Sequence, residues 1–146
     1  MLSRLSQLLE VFAEHSDQAE RTQLLLDYAD RFKDVPAAVA TRPFDKAALV
    51  PHCESEAYVW AVPNGDGTLK LHFAVENPSG VSAKALAVML DRSLSGLPPG
   101  EIAKVDPEIV ERIFRQNISM GKGMGLMSMV QRVQALARRA LQEKPQ

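Results

Sequence analysis

The chain has 146 residues, 46% of them hydrophobic and 24% charged, and a single cysteine; it reads as one domain, 1–146, large enough to bury its own core without a metal or a disulfide. A lone thiol excludes an internal disulfide, any zinc site built on two or more thiolates, and a cluster held by four cysteines of one chain. Seventeen Lys and Arg against eighteen Asp and Glu, a net charge of −1, leave no overall positive field for nucleic acid as the main partner.

Met1-Leu2-Ser3-Arg4-Leu5 runs into Gln7, Glu10 and Glu14, which interrupt the apolar middle region that a signal peptide requires. No uncharged apolar run approaches the ~20 residues of a membrane span. The expected location is the cytoplasm, where an unpaired thiol stays reduced. Leu5, Leu8, Leu9 and Phe12 recur at helical spacing, and Leu24, Leu25, Tyr28, Ala29 and Phe32 form a second such set. Asp17, with Glu20 three residues later, is the capping box expected to start the second helix. Pro36, Pro43 and Pro51 then make a continuous helix untenable between Asp34 and His52.

From Glu54 to Val62 the residues become those of a strand, and the unbroken run Tyr58-Val59-Trp60-Ala61-Val62 predicts a central strand covered on both faces. Pro63-Asn64-Gly65-Asp66-Gly67 is a turn by composition. In the strand after it, Leu69, Leu71, Phe73 and Val75 alternate with Lys70, His72 and Glu76, giving one dry face and one wet face. Asn77-Pro78-Ser79-Gly80 closes this region, and Ser82 is expected to cap a helix that buries Leu86, Met89, Leu90 and Leu94. Gly96, Pro98 and Pro99 end that helix. Asp106-Pro107 opens another, carrying Ile109, Val110, Ile113 and Phe114. The last helix sets Leu126, Val130, Val133, Ala137 and Leu141 on one stripe, with Met129, Leu136 and Ala140 beside it. Arg132, Arg138, Arg139 and Lys144 against Glu143 form a local basic excess, read as a solvated face complementing the helix C-terminus. Helices, then a hairpin sheet, then helices make an α+β chain.

Chemistry concentrates at Leu49-Val50-Pro51-His52-Cys53-Glu54-Ser55-Glu56, a loop running into a strand. There a thiol can be held rigidly yet remain within reach of a partner, although free cysteines are also common as buried fillers. His52 would stabilise a thiolate if protonated and turned toward it; Glu54 and Glu56 would raise the thiol pKa if they faced it. In an extended segment His52 and Glu54 would both face away from Cys53. His15 and His72 stand apart, and no histidine pair has metal-ligand spacing. Met120-Gly121-Lys122-Gly123-Met124-Gly125 lacks the order of a phosphate loop. A helix start with Lys122 still offers amides and a cation to an anion or thiolate. Met120, Met124, Met127 and Met129 read as helix core.

Three segments in this order resemble the SufE/CsdE-type sulfur-acceptor proteins that work with cysteine desulfurases. Val50-Pro51-His52-Cys53-Glu54-Ser55-Glu56-Ala57-Tyr58 is similar to the family's V-x-G-C-x-S-x-V-W segment, with His52 in place of the glycine and Ala57-Tyr58 in place of Val-Trp. The two preceding helices with the following sheet and helices match its context. Gly121-Lys122-Gly123-Met124-Gly125-Leu126-Met127-Ser128-Met129 is similar to S-R-x-x-G-L-x-x-M, with Gly121 and Lys122 at the serine and arginine positions. The resemblance implies a SufE/NifU-like α+β fold: two N-terminal helices, a small antiparallel sheet with a hairpin, and C-terminal helices packed on one face.

It further implies a sulfur carrier rather than an enzyme with its own turnover, present as a monomer or weak homodimer. Cys53 would take persulfide sulfur from a SufS/CsdA-type desulfurase, stimulating it, and pass the sulfur to an iron-sulfur scaffold of the SufBCD type. His52 and Lys122 would support it. The chain would need no cofactor or metal of its own, since the pyridoxal phosphate belongs to the desulfurase, and it would engage neither nucleic acid nor membrane. Such exchange needs one nucleophilic thiol and no resolving cysteine. Between transfers the Cys53 loop would rest against apolar surface and swing outward on docking. Two other readings stand beside this one. In one, a binding module merely packs Cys53; in the other, a thiol-dependent hydrolase or peroxidase lacks an evident base.

Overall fold

The computed structural model describes residues 3–143; Met1, Leu2 and Lys144 lie outside them. In chain order come α1 (Ser3–Glu14), α2 (Gln18–Ala29), a short 3₁₀ turn (Lys46–Ala48), β1 (Ala57–Pro63), β2 (Leu69–Val75), α3 (Val81–Leu94), α4 (Pro99–Ile102), α5 (Ile109–Phe114) and α6 (Met120–Gln142). The architecture is the expected α+β arrangement, with helices before and after one antiparallel hairpin.

Helix α3 is the centre of the molecule. Ala83, every residue from Ala85 to Leu90, Ser93 and Leu94 are buried, because α1, α2, β2 and α6 all pack around it. Small residues at Ala83, Ala85 and Ala87 let these neighbours approach closely, while Leu86, Met89, Leu90 and Leu94 fill the space between them. Each large side chain sequestered this way contributes about 1.5–3 kcal/mol. Leu5, Leu8, Leu9 and Phe12 of α1 are buried as their spacing predicts, as are Ile109, Val110, Ile113 and Phe114 of α5. In α6 Leu126, Met129, Val130, Val133 and Ala137 are buried, but Leu141 is exposed.

The local signals mostly place the elements correctly and assign some of their ends to the wrong residues. Asp17 is the N-cap of α2, yet its carboxylate makes no capping bond. Arg21 instead anchors this corner. Its guanidinium is buried, stacks on the Phe12 ring at 5.3 Å, and donates to the carbonyls of Phe12, His15, Arg112 and Ile113. It thereby closes the C-terminal ends of α1 and α5 together. Ser82 lies inside α3, whose N-cap is Gly80. Asp106 does cap the turn leading into α5, its Oδ1 accepting from the amide of Glu108 at 2.9 Å. Gly96 ends α3 at φ +89, and its amide donates to Leu69 O at 2.8 Å, joining the helix end to β2.

The sheet has only two strands, paired from Ala57↔Val75 to Pro63↔Leu69. Strand β1 is therefore not a central strand. Ala57 and Val59 face the core, while Tyr58 and Trp60 pack with Phe44, their ring centroids each 5.0 Å from the Phe44 ring. The apolar run that suggested a central strand covered on both faces is thus covered on one side by a loop aromatic. Arg42 lies 4.7 Å over the Phe44 ring and pairs with Asp34 and Glu76, securing that loop. On β2, Leu69, Leu71, Phe73 and Val75 are buried as expected, and His72 is half-buried. The basic residues Arg138 and Arg139 are exposed, whereas Arg132 donates to Ala47 O.

Candidate functional site

Cys53 is half-buried in the loop between Val50 and β1 and packs on one side against the hydrophobic core. Backbone bonds fix the loop at both ends. Val50 N donates to Ala57 O at 2.8 Å, Glu56 N to Cys53 O at 3.1 Å, and the amides of Glu76 and Asn77 reach Glu56 O and Ser55 O at 3.2 Å each. The sheet ladder therefore extends as far as the residues after the thiol. Two residues that bracket Cys53 carry left-handed backbone: His52 at φ +61 and Glu56 at φ +51. For a residue with a side chain this region costs ~1–2 kcal/mol, and the surrounding contacts must hold it there. The segment is a turn and not the extended run anticipated from sequence.

Glycines at two other positions let neighbouring elements reach the loop. A Cβ on Gly125 of α6 would stand 2.9 Å from His52 O and 3.1 Å from Cys53 Cα. A Cβ on Gly80 would stand 2.8 Å from Val75 Cγ1 and 3.0 Å from Ser55 Oγ. Gly125 stood in the motif carried by the resemblance, but its role here was not legible, because both glycines are required by a tertiary approach and not by their own backbone conformation.

Between these elements lies a cavity of about 200 Å³. Cys53, Glu54, Ser55, Asn77, Lys122 and Leu126 are among its lining residues, and the start of α3 from Gly80 to Ala83 closes one side. The two sequence motifs, 72 residues apart at Cys53 and Gly125, thus meet on one face. Lys122 shares the cavity with the thiol. His52 does not: its ring is exposed and outside the lining, while its carbonyl rests on α6. Glu54 is exposed and is among the residues that line the cavity, on a turn and not on an extended segment. Cys53 packs against the hydrophobic core on one side, and on the cavity side polar residues (Glu54, Ser55, Asn77, Lys122) stand beside Val81, Ala83 and Leu126.

Electrostatically, the cavity sets one cation, Lys122, and the amide end of α3 against one carboxylate, Glu54. A helix N-terminus and an ammonium both favour an anion such as a thiolate. No group of three or more His, Cys, Asp or Glu side chains able to hold a metal occurs among the described residues. His15 bonds Val11 O within its own helix turn, and His72 lies on the sheet beside Lys70 and Asp91. No described helix is long and apolar enough to cross a membrane.

Comparison with known proteins adds the following. The family model described as SufE, Fe-S metabolism associated domain, matches residues 6–137. Among solved structures, the solution structure of a hypothetical protein from Thermus thermophilus superposes with a TM-score of 0.74 at 28% identity, covering 96% of this chain and 97% of that one. Comparison with curated proteins finds no match.

Proposed function

The chain belongs to the SufE family, and on that premise we propose that it is a sulfur carrier working through Cys53. The family places the chain in Fe-S metabolism. One observation carries the finer reading: the only thiol of the chain sits in a fixed surface turn beside a cavity shared with Lys122 and the start of α3. One partner, a pyridoxal-phosphate cysteine desulfurase, presents a persulfide on its own cysteine; the other, an iron-sulfur scaffold, receives the sulfur.

The transfer balances without an oxidant. The Cys53 thiolate attacks the outer sulfur of the donor persulfide, a new sulfur–sulfur bond forms on Cys53, and the donor cysteine leaves as a thiolate. The outer sulfur keeps its proton or gives it to solvent, and no electron is gained or lost overall. The chain contributes the nucleophile, a turn that holds it in place, and, lining the same cavity, the Lys122 cation and the start of α3. One extra sulfur fits beside Cys53 in a space several times the ~30 Å³ occupied by a water molecule. Removing the donor's sulfur regenerates the donor thiol, and this is how the carrier would stimulate the desulfurase.

The test is mass spectrometry after incubation with a cysteine desulfurase, pyridoxal phosphate and free cysteine. The expected product carries the mass of one added sulfur on the peptide containing Cys53, lost on reduction and absent in Cys53→Ser. An unchanged mass with every desulfurase of the source cell would overturn the reading.

A further inference from the structure

A second cavity, of about 400 Å³, shares no lining residue with the one beside Cys53. Three segments enclose it: the chain just after α2, the middle of β2 and the C-terminal half of α3. Its volume is that of pockets that hold small ligands. Phe32, Ala87 and Val88 give it an apolar wall.

The charges around this cavity do not balance. Arg31, Lys33, Lys70 and Arg92 line it together with only two carboxylates, Asp34 and Asp91, which leaves a surplus of two positive charges. Both carboxylates are already engaged. Asp91 Oδ1 accepts from Lys70 Nζ at 2.6 Å and from Ser95 Oγ at 2.5 Å, and Asp34 pairs at 2.8 Å with Arg42, which stands outside the lining. Arg31, Lys33 and Arg92 have no ion-pair partner among the described residues. Arg31 lies 5.6 Å over the Tyr28 ring, a contact that holds the guanidinium without using its hydrogen-bond donors. The C-terminal ends of α2 and α3 each favour one cation. That does not explain why both guanidiniums border one cavity with Lys33 beside them, where like charges repel until an anion joins them.

Strand β2 adds an unused donor to the same wall. Alternate residues of an antiparallel pair turn their backbone groups away from the partner strand. On β2 these are Leu69, Leu71 and Phe73, because the amide of Leu69 donates to Leu97 O at 3.1 Å and that of Leu71 to Ser95 Oγ at 2.9 Å. Phe73, the next in this series, lines the cavity, and its amide has no acceptor among the described residues. The half-buried His72 ring lines it too, beside Lys70 and Asp91, and carries a further N–H.

We propose that this cavity binds a small organic dianion bearing a phosphate or two carboxylates, its charge between Arg31, Lys33 and Arg92 and its apolar part against Phe32 and Val88. Two negative charges cancel the surplus of the lining. Guanidinium groups suit phosphate and carboxylate because their paired N–H groups match two oxygens at once. The site is separate from sulfur transfer at Cys53, and neither reading depends on the other.

The test is a titration of the full chain, labelled with nitrogen-15, with phenyl phosphate and separately with phthalate, potassium chloride holding the ionic strength constant. Binding in the cavity predicts saturable shifts of the amides around Phe73 with at least one of these dianions, and the tighter of the two tells phosphate from dicarboxylate. Arg31→Gln/Arg92→Gln changes two exposed positions and should weaken the binding about tenfold or more. Arg138→Gln, an exposed change on α6 outside the lining, should leave it as it was. The site is overturned if neither dianion gives saturable shifts, if potassium chloride alone reproduces them, or if the double variant binds with native affinity.

Discussion

Replacing Gly125 with alanine tests whether the thiol turn depends on the last helix. The new methyl would stand 2.9 Å from His52 O and 3.1 Å from Cys53 Cα, against 3.4 Å for ordinary contact. Both obstacles are backbone atoms, so no side chain can rotate out of the way. Something must move by about half an ångström. Overpacking of this kind costs ~1–3 kcal/mol, while alanine is favoured over glycine within a helix by about 1 kcal/mol. The net expectation for the whole fold is a loss between roughly zero and 2 kcal/mol, at most about 8 °C in Tm. The turn is the softer partner, held by a few backbone bonds at its ends, whereas α6 is anchored by Met129, Val130 and Val133 in the core. The displacement should therefore fall on the turn. Alkylation of Cys53 by iodoacetamide should rise several-fold and sulfur uptake should fall, with urea unfolding lowered by no more than about 2 kcal/mol. If alkylation and uptake both match the native chain, the turn does not rest on Gly125 and the argument from close approach is wrong.

Three further outcomes are expected. His52→Gly relieves a left-handed side chain at φ +61; glycine's greater freedom when unfolded takes back part of the gain, leaving about 0.5–1 kcal/mol of added stability in denaturant unfolding. Arg21→Met leaves the carbonyls of Phe12, His15, Arg112 and Ile113 without their donor, and urea titration should show a loss of about 3 kcal/mol or more. Burial, followed by the Lys70 charge, lowers the His72 pKa from 6.5, so the unfolded chain binds its proton first as pH falls. Stability attributable to His72 is then complete above the unfolded pKa and declines as pH drops toward the folded one. Tm should rise with pH through the range below the ordinary imidazole value of 6.5, and a slope unchanged in His72→Gln would refute that assignment.

Periodicity was enough to place the longer helices and the hairpin, because Leu5, Leu8, Leu9 and Phe12 or Leu69, Leu71, Phe73 and Val75 can bury one face in only one way, whereas the single turn of α4 that Pro99 opens is too short to show a period. The single cysteine and the resemblance brought attention to the loop that lines a cavity with Lys122. Other features depended on contacts between distant segments. Tyr58 and Trp60 looked like inner residues of a wide sheet, and nothing local revealed that Phe44 covers them. Asp17 had the chemistry of a cap, but its carboxylate makes no capping bond and Arg21 anchors that corner from the helix interior. The positive φ at His52, in the position where the family carries glycine, could be suspected from that substitution and from nothing else in the chain. The exposed methionines share the spacing of buried ones, so only the absence of a neighbour over Met120 and Met124 distinguishes them.

The support beneath the thiol comes from much later in the chain. Cys53 is synthesised well before Gly125 and Lys122, and at ribosomal rates of roughly 5–20 residues per second several seconds separate them. Until α6 docks, the turn has no floor and the cavity has no far wall. A nascent chain therefore carries an unsheltered thiol, and the cavity beside Cys53 is complete only with the final helix. Any truncation that removes α6 should leave the cysteine in place and, under the proposed function, abolish sulfur uptake.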